Sequence, residues 1–367
     1  MRFPWKQWAL LTSWSLVLVI PNLLSVGTNI VGRTYLEGSE RFWSGVSPYL
    51  PPEKGDVFLY SPFFAAIYAW LPFKLFSWAL LNCTVFWAGI SVWFRWLRSD
   101  PWYVSAAWIA CSMELDGPLR YQQINPLLVG MILLACAAYR DGRHMSAGAW
   151  IGTVFNFKLL SAPFFLLAIP RNYRFAAGLL LTLAVLILLP AAFVGWEQNA
   201  RFHLFQLQKI ISEAPLRKIL DIASVGESWG FEKMGLALKY GIAFSGVILL
   251  VLFRFTRELP LPWGPWISIA FTTVLLVNPR TESPTFVLMA PAYLFLMAES
   301  TKWERAVLFG AIWLTTLSYN TLWPSLLRTP MHLDFSTKTL GALVVWGLSV
   351  SILITRRKFA VRYAQNR

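Results

Sequence analysis

The chain has 367 residues, 57% of them hydrophobic and 14% charged, with a net charge of +14. A soluble domain carries about 25% charged residues, and apolar runs near 20 residues recur here from end to end, the length that crosses a hydrocarbon core of ~30 Å. The composition excludes a soluble domain, and the basic excess, gathered at short junctions between apolar runs, orients a membrane protein and excludes a nucleic-acid surface.

The basic junctions are Arg2/Lys6, Arg95/Arg98, Arg140/Arg143, Arg171/Arg174, Arg254/Arg257, Lys302/Arg305 and the tail "RRKFAVRYAQNR". Placed in the cytoplasm, they alternate with outer turns across about twelve membrane segments, near 7–25, 75–96, 102–116, 123–139, 145–157, 159–170, 175–194, 235–253, 261–278, 285–298, 304–319 and 338–355. Both termini are then cytoplasmic. The start "MRFPWKQWALLTSWSLVLVIPNLL" shows no small-residue cleavage site and reads as a retained first helix. The expectation is an all-α, polytopic transmembrane helical bundle, one domain over 1–367, in a bacterial-type plasma (inner) membrane and surrounded by its lipids. Cys83, Cys111 and Cys136 fall in predicted spans without metal-ligand spacing and read as small core hydrophobes. His144, His203 and His332 are likewise not in metal spacing.

Two extracytoplasmic segments are long. In the first, 26–74, the apolar, aromatic stretch Phe58 to Pro72 predicts an interfacial helix. In the second, 195–234, "RFHLFQLQKIISEAPLRKIL" predicts another amphipathic surface helix. Between them lies "IGTVFNFKLLSAPFFLLAIP", with Lys158 at its centre. The 27 residues between Arg143 and Arg171 give a helical path of ~40 Å, whereas two crossings need ~60 Å. The hairpin therefore turns inside the bilayer or stands beside a water-filled cavity, with Lys158 at the apex. An intramembrane lysine has a partner or a job; here the readings are an anion site or a side chain that snorkels to the headgroups.

Charged and amide groups gather at the outer turns. "ELDGPLRYQQINP" brings Glu114, Asp116, Arg120, Gln122, Gln123 and Asn125; "NPRTESPT" brings Asn278, Arg280 and Glu282; the first loop brings Arg33, Glu37, Glu40 and Asp56 with Tyr35, Tyr49 and Tyr60. Cations hold a phosphate, aromatic faces hold a sugar, and a carboxylate serves as a base. Structural alternatives stand beside these: an Arg280–Glu282 ion pair, lipid phosphate for Arg120, and a salt-bridged helix face of Glu37 and Glu40 with Arg33 and Arg41. There is no GxxxxGK[ST] loop, no GxGxxG, no HExxH and no DxD pair. An enzyme built this way takes an activated substrate that is already lipid-linked.

The blocks "YSPFFAAIYAWLP", "RYQQINPLLVGMILLACAAYRDGR", "AGAWIGTVFNFKLLSAPFFLLAIPRNYR" and "NPRTESPTFVLMAPAYLF" resemble those of glycosyltransferase family 87. The family pattern has a Tyr-Pro-Pro block, a Gly-Gln-hydrophobic-Asn turn, a Lys-x-x-Pro after a small-residue helix and a late Ser-Pro turn. The corresponding positions here are Tyr60/Pro62, Gln123/Asn125, Lys158 with Pro163 after four intervening residues rather than two, and Asn278/Pro279 with asparagine in place of serine. The resemblance implies a GT-C bundle using a polyprenyl-phosphate sugar, usually mannose, and a lipid or glycan acceptor, inverting, with no metal and no cofactor. It implies a donor-phosphate ligand at Lys158 and a first-loop carboxylate as base; beside these, the chain offers Arg280 and, more weakly, Arg120 as phosphate ligands, and Tyr60, Gln123 and Asn125 as the lining of a sugar pocket. The family's Asp after the first helix is replaced by "TNIVGR", so Glu37 is the substitute base and Glu40 the next, with Glu282 a further catalytic candidate. The rival readings are a transporter or flippase for an amphipathic anion and an inactive relative kept as an assembly partner.

Overall fold

The structure is a computed structural model that describes residues 20, 30–50, 58–94, 101–169, 172–212, 220–255, 262–278, 281–317 and 336–365. The expected first helix, apart from residue 20, and Asp56, Arg280 and His332 lie outside the described residues. Regular structure among the described residues is helical throughout. The chain divides into two compact units, one from Val19–Trp93 and Pro118–Leu216, the other from Met1–Leu18, Phe94–Gly117 and Arg217–Arg367. They are called the hairpin unit and the C-terminal unit.

The hairpin unit opens with α1 (Ile30–Trp43). Its buried residues Val31, Thr34, Tyr35, Ser39 and Phe42 recur at helical spacing, while Arg33 and Glu40 are exposed. The interfacial helix expected over Phe58 to Pro72 is instead a seven-residue helix, α2 (Pro62–Tyr68), with Phe64, Ala65, Ala66 and Tyr68 buried. Ser61 caps it, its Oγ accepting from the Phe64 N–H at 3.2 Å, and Ser39 donates to the Ala65 carbonyl at 2.7 Å. The buried stripe of α1 supplies what α2 packs on, so one face of the loop's apolar stretch is covered by protein while Ile67 and Trp70 stay exposed. The long helix of this loop lies ahead of the stretch that hydropathy selects.

Next come α3 (Lys74–Phe94) and α5 (Asn125–Arg140), which meet where Gly89 faces Gly130; a Cβ on Gly89 would stand 2.5 Å from the Gly130 carbonyl oxygen. Small residues permit that approach. Asn82 of α3 accepts from the Leu127 N–H at 3.1 Å, satisfying a first-turn donor of α5. The chain between them enters α4 (Pro101–Arg120). After α5, α6 (His144–Phe157) packs on α7 (Tyr173–Leu188) through Gly148 and Gly152, four apart, and Gly178 opposite. Between these two helices runs a 3-10 segment, Leu159–Ala168. At 14 residues α6 reaches only ~21 Å, so the expected short hairpin is present, with Lys158 at its break. The unit ends with α8 (Ala191–Val194) and α9 (Trp196–Ser212). On α9, the expected surface helix, Leu204, Phe205, Leu207 and Ile211 are exposed while Phe202 is buried against Phe42. Trp43, Trp70 and Phe193 form an exposed ring cluster, the side-chain type that suits a membrane interface.

The C-terminal unit is built on α12 (Trp263–Val277), which is buried over nearly its whole length. Around it lie α10 (Ile222–Ser228), α11 (Glu232–Phe255), α13 (Ala290–Glu299), α14 (Lys302–Ile312) and α15 (Ser336–Gln365). Asp221 caps α10 and pairs with Lys239 of α11. Trp346 of α15 donates to Thr273 of α12 at 3.0 Å.

Four described helices are long and apolar enough to cross a membrane: Lys74–Phe94, Tyr173–Val194, Glu232–Phe255 and Thr337–Thr355. Asn125–Arg140, Trp263–Val277 and Pro284–Glu299 are apolar but shorter; 16 residues reach ~24 Å. The count of about twelve segments rests on charge alternation, and helix length supports the four.

Candidate functional site

Lys158 follows the last residue of α6. Its backbone is extended (φ −159°, ψ 139°), which ends the α-helix and starts the 3-10 turn. The break points the side chain toward the start of α5, where Nζ donates to Asn125 Oδ1 at 3.1 Å. Asn125 Nδ2 in turn donates to Gln123 Oε1 at 2.6 Å. Asn125 is fully buried, Gln123 buried and Lys158 half-buried. Three of the predicted site residues thus form one hydrogen-bonded chain. The Asn125 amide fixes the direction of the ammonium.

Tyr60 stands close to this chain through its neighbours. Ser61 donates to Asn156 Oδ1 at 2.7 Å, two residues before Lys158. Phe63 stacks on Phe157, and Phe64 meets the same ring edge-on. The Tyr60 hydroxyl accepts from Tyr35 at 3.0 Å, and its carbonyl from Tyr49 at 2.7 Å. Burial pushes the Tyr35 phenol well above its ordinary range, and Tyr60 beside it adds to the shift; Tyr35 therefore stays protonated and serves as a donor.

The other predicted residues stand elsewhere. Glu37, on α1, is half-buried and pairs with Arg41 at 2.5 Å, while Arg41 also donates to the Leu50 carbonyl at 2.7 Å. This pair is one contact of the helix face on which Glu37, Glu40, Arg33 and Arg41 stand. Glu40 is exposed on the same helix, and Arg120 is exposed at the end of α4. Glu282 belongs to the C-terminal unit, where it leads the 3-10 segment Ser283–Met289 and its N–H is accepted by Thr285 Oγ1 at 3.3 Å. Among the described residues no three His, Cys, Asp or Glu side chains converge as metal ligands would.

Sequence reasoning passed over a second polar cluster, in the C-terminal unit. Glu114 of α4 lies 3.7 Å from Lys338 of α15, and both are buried. Glu114 also accepts from the Tyr293 hydroxyl at 3.3 Å; that hydroxyl meets Thr315 at 2.5 Å, and Lys338 lies 5.2 Å from the Phe286 ring centre. Glu114 stands among the outer-turn acids and Lys338 at the start of the apolar run 338–355; only the fold brings the two together. Gln122 stands in the sequence only as one of the outer-turn amides, and Tyr68 carries no sequence signal.

The family model of glycosyltransferase family 87 matches residues 58–279. That span holds Tyr60, Gln123, Asn125 and Lys158. No curated protein matches the chain.

Proposed function

Because the chain belongs to glycosyltransferase family 87, we propose that it moves a sugar, mannose in the first instance, from a polyprenyl-phosphate donor to an extracytoplasmic lipid or glycan acceptor. The observation that carries this reading is the Lys158–Asn125–Gln123 chain, an aimed cation at the break of a membrane hairpin. In the proposed reaction an acceptor hydroxyl attacks the anomeric carbon as the sugar–phosphate bond breaks, inverting that carbon. Lys158 meets the negative charge that grows on the departing phosphate. Such a contact strengthens toward the transition state and lowers the barrier. Glu37 takes the proton of the acceptor hydroxyl, with Arg41 holding its carboxylate in place. Arg120 serves the donor phosphate more loosely, from an exposed helix end.

The test is turnover of the purified protein with polyprenyl-phosphate mannose, scored by release of polyprenyl phosphate together with sugar transfer. Glu37→Gln is expected to lower turnover roughly 10²–10⁴-fold, the range of general-base catalysis, while donor binding stays unchanged. Unaltered turnover removes Glu37 from the base role. Donor movement across the bilayer without release of polyprenyl phosphate favours the transporter instead.

A further inference from the structure

Gln122 is the one residue of the "RYQQINP" turn whose backbone is left-handed, with φ +54°. For a residue with a Cβ that conformation costs about 1–2 kcal/mol. Its side chain is 2% exposed, and neither Nε2 nor Oε1 has a hydrogen-bond partner. Tyr68 repeats the anomaly nearby: the ring is fully buried and its hydroxyl is unpartnered. A buried polar group left in this state is destabilising, and native folds rarely keep one without a use.

Trp78 and the helix α1 border both residues. Trp78 donates its indole N–H to the Gln122 carbonyl at 3.1 Å and lies edge-on to the Tyr68 ring at 5.5 Å. From α1, Gly32 faces the Gln122 amide oxygen so closely that a side chain there would collide, and the Tyr35 ring meets Tyr68 at 5.4 Å. The unpartnered atoms are therefore neutral and include both donors and acceptors, and the ring that carries the Tyr68 hydroxyl is packed among other aromatic rings. A phosphate oxygen only accepts and has no use for an amide oxygen. A sugar ring has hydroxyls that donate and accept, and C–H faces that rest on aromatic rings. One residue farther along the same turn starts the Gln123–Asn125–Lys158 chain, whose amides are engaged with one another and with the lysine. Sugar-reading and phosphate-holding groups thus adjoin, as the two parts of a glycosyl phosphate do.

We propose that Gln122 and Tyr68 read the hydroxyls of the donor's sugar ring, while Gln123 and Asn125 position Lys158 rather than contact the sugar. This rests on the preceding reading that the chain binds a polyprenyl-phosphate sugar. The ring reaches the two side chains when the turn carrying Gln122 opens, a movement that its left-handed backbone favours by releasing strain.

The experiment measures binding of polyprenyl-phosphate mannose, glucose and galactose, and of sugar-free polyprenyl phosphate, to the purified protein in lipid nanodiscs. Gln122→Met and Tyr68→Phe keep side-chain volume and remove the polar atoms. Each is expected to reduce the preference for the favoured sugar over the sugar-free lipid about 5–20-fold. Binding of the sugar-free lipid stays as in wild type, and thermal stability is equal or higher. A preference left intact in both variants overturns the proposal. Equal weakening of glycosylated and sugar-free lipids with a lowered thermal midpoint also overturns it, because that is the mark of a packing role. Wild-type protein that binds the sugar-free lipid but prefers none of the three sugars removes this subsite and leaves the phosphate role of Lys158 standing. Wild-type protein that binds none of the four removes both readings.

Discussion

Each unit of the molecule contains a lysine in apolar surroundings, and the two are held differently. Lys338 is buried beside a carboxylate, Glu114, whose other oxygen accepts from Tyr293. Lys158 is half-buried and bonded to an amide, Asn125. A carboxylate cancels a charge in place, which suits a clamp between α4 and α15 within the C-terminal unit. An amide fixes the direction of the ammonium, which suits a group that meets an anion. The same residue type, placed in the same kind of surroundings, is given a structural or a chemical task by its partner.

Breaking the clamp is expected to have the largest effect. Lys338→Met leaves Glu114 buried without its counter-charge, and Glu114→Gln does the reverse to Lys338; each should lower stability by about 3–5 kcal/mol. The double variant should recover most of the loss, and denaturant unfolding of the three proteins checks both statements. Singles that unfold like wild type would mean that the pair does not hold the unit together. Making the hairpin resemble the clamp is the sharper comparison. Asn125→Asp keeps shape but sets a carboxylate against Lys158, and polyprenyl phosphate should bind roughly 10–100-fold more weakly, without a fall in thermal midpoint. Affinity equal to wild type would show that the amide has no special part. Smallest is Tyr35→Phe, which removes the donor to Tyr60 and should lower stability by about 0.5–1.5 kcal/mol, with the pH dependence of unfolding unchanged between pH 6 and 9 because the phenol stays protonated there. A new titration in that range would contradict the assignment.

The hairpin was legible in the sequence because its clues are local. A charge inside an apolar run and 27 residues between two arginines are both read from adjacent letters. The first outer loop was less legible. The stripe on α1 mixes Thr34 and Ser39 with Tyr35 and Phe42, so hydropathy passes over it and selects the apolar stretch after it, about half of which the fold buries. The Glu114–Lys338 pair joins residues far apart in the chain, and each reads alone as a boundary charge. Gln122 was half visible. The family pattern has glycine where this chain has Gln122, and the left-handed backbone explains why glycine suits that place; the buried, unpartnered amide appears only once the fold is known.

The most direct measurement is the affinity of purified protein for polyprenyl phosphate, compared between wild type and Lys158→Met. Loss of the aimed ammonium should weaken binding about 10–100-fold while thermal stability holds. Equal affinity in the two proteins would mean that Lys158 does not face the lipid phosphate, and the sugar-transfer mechanism would lose its cation.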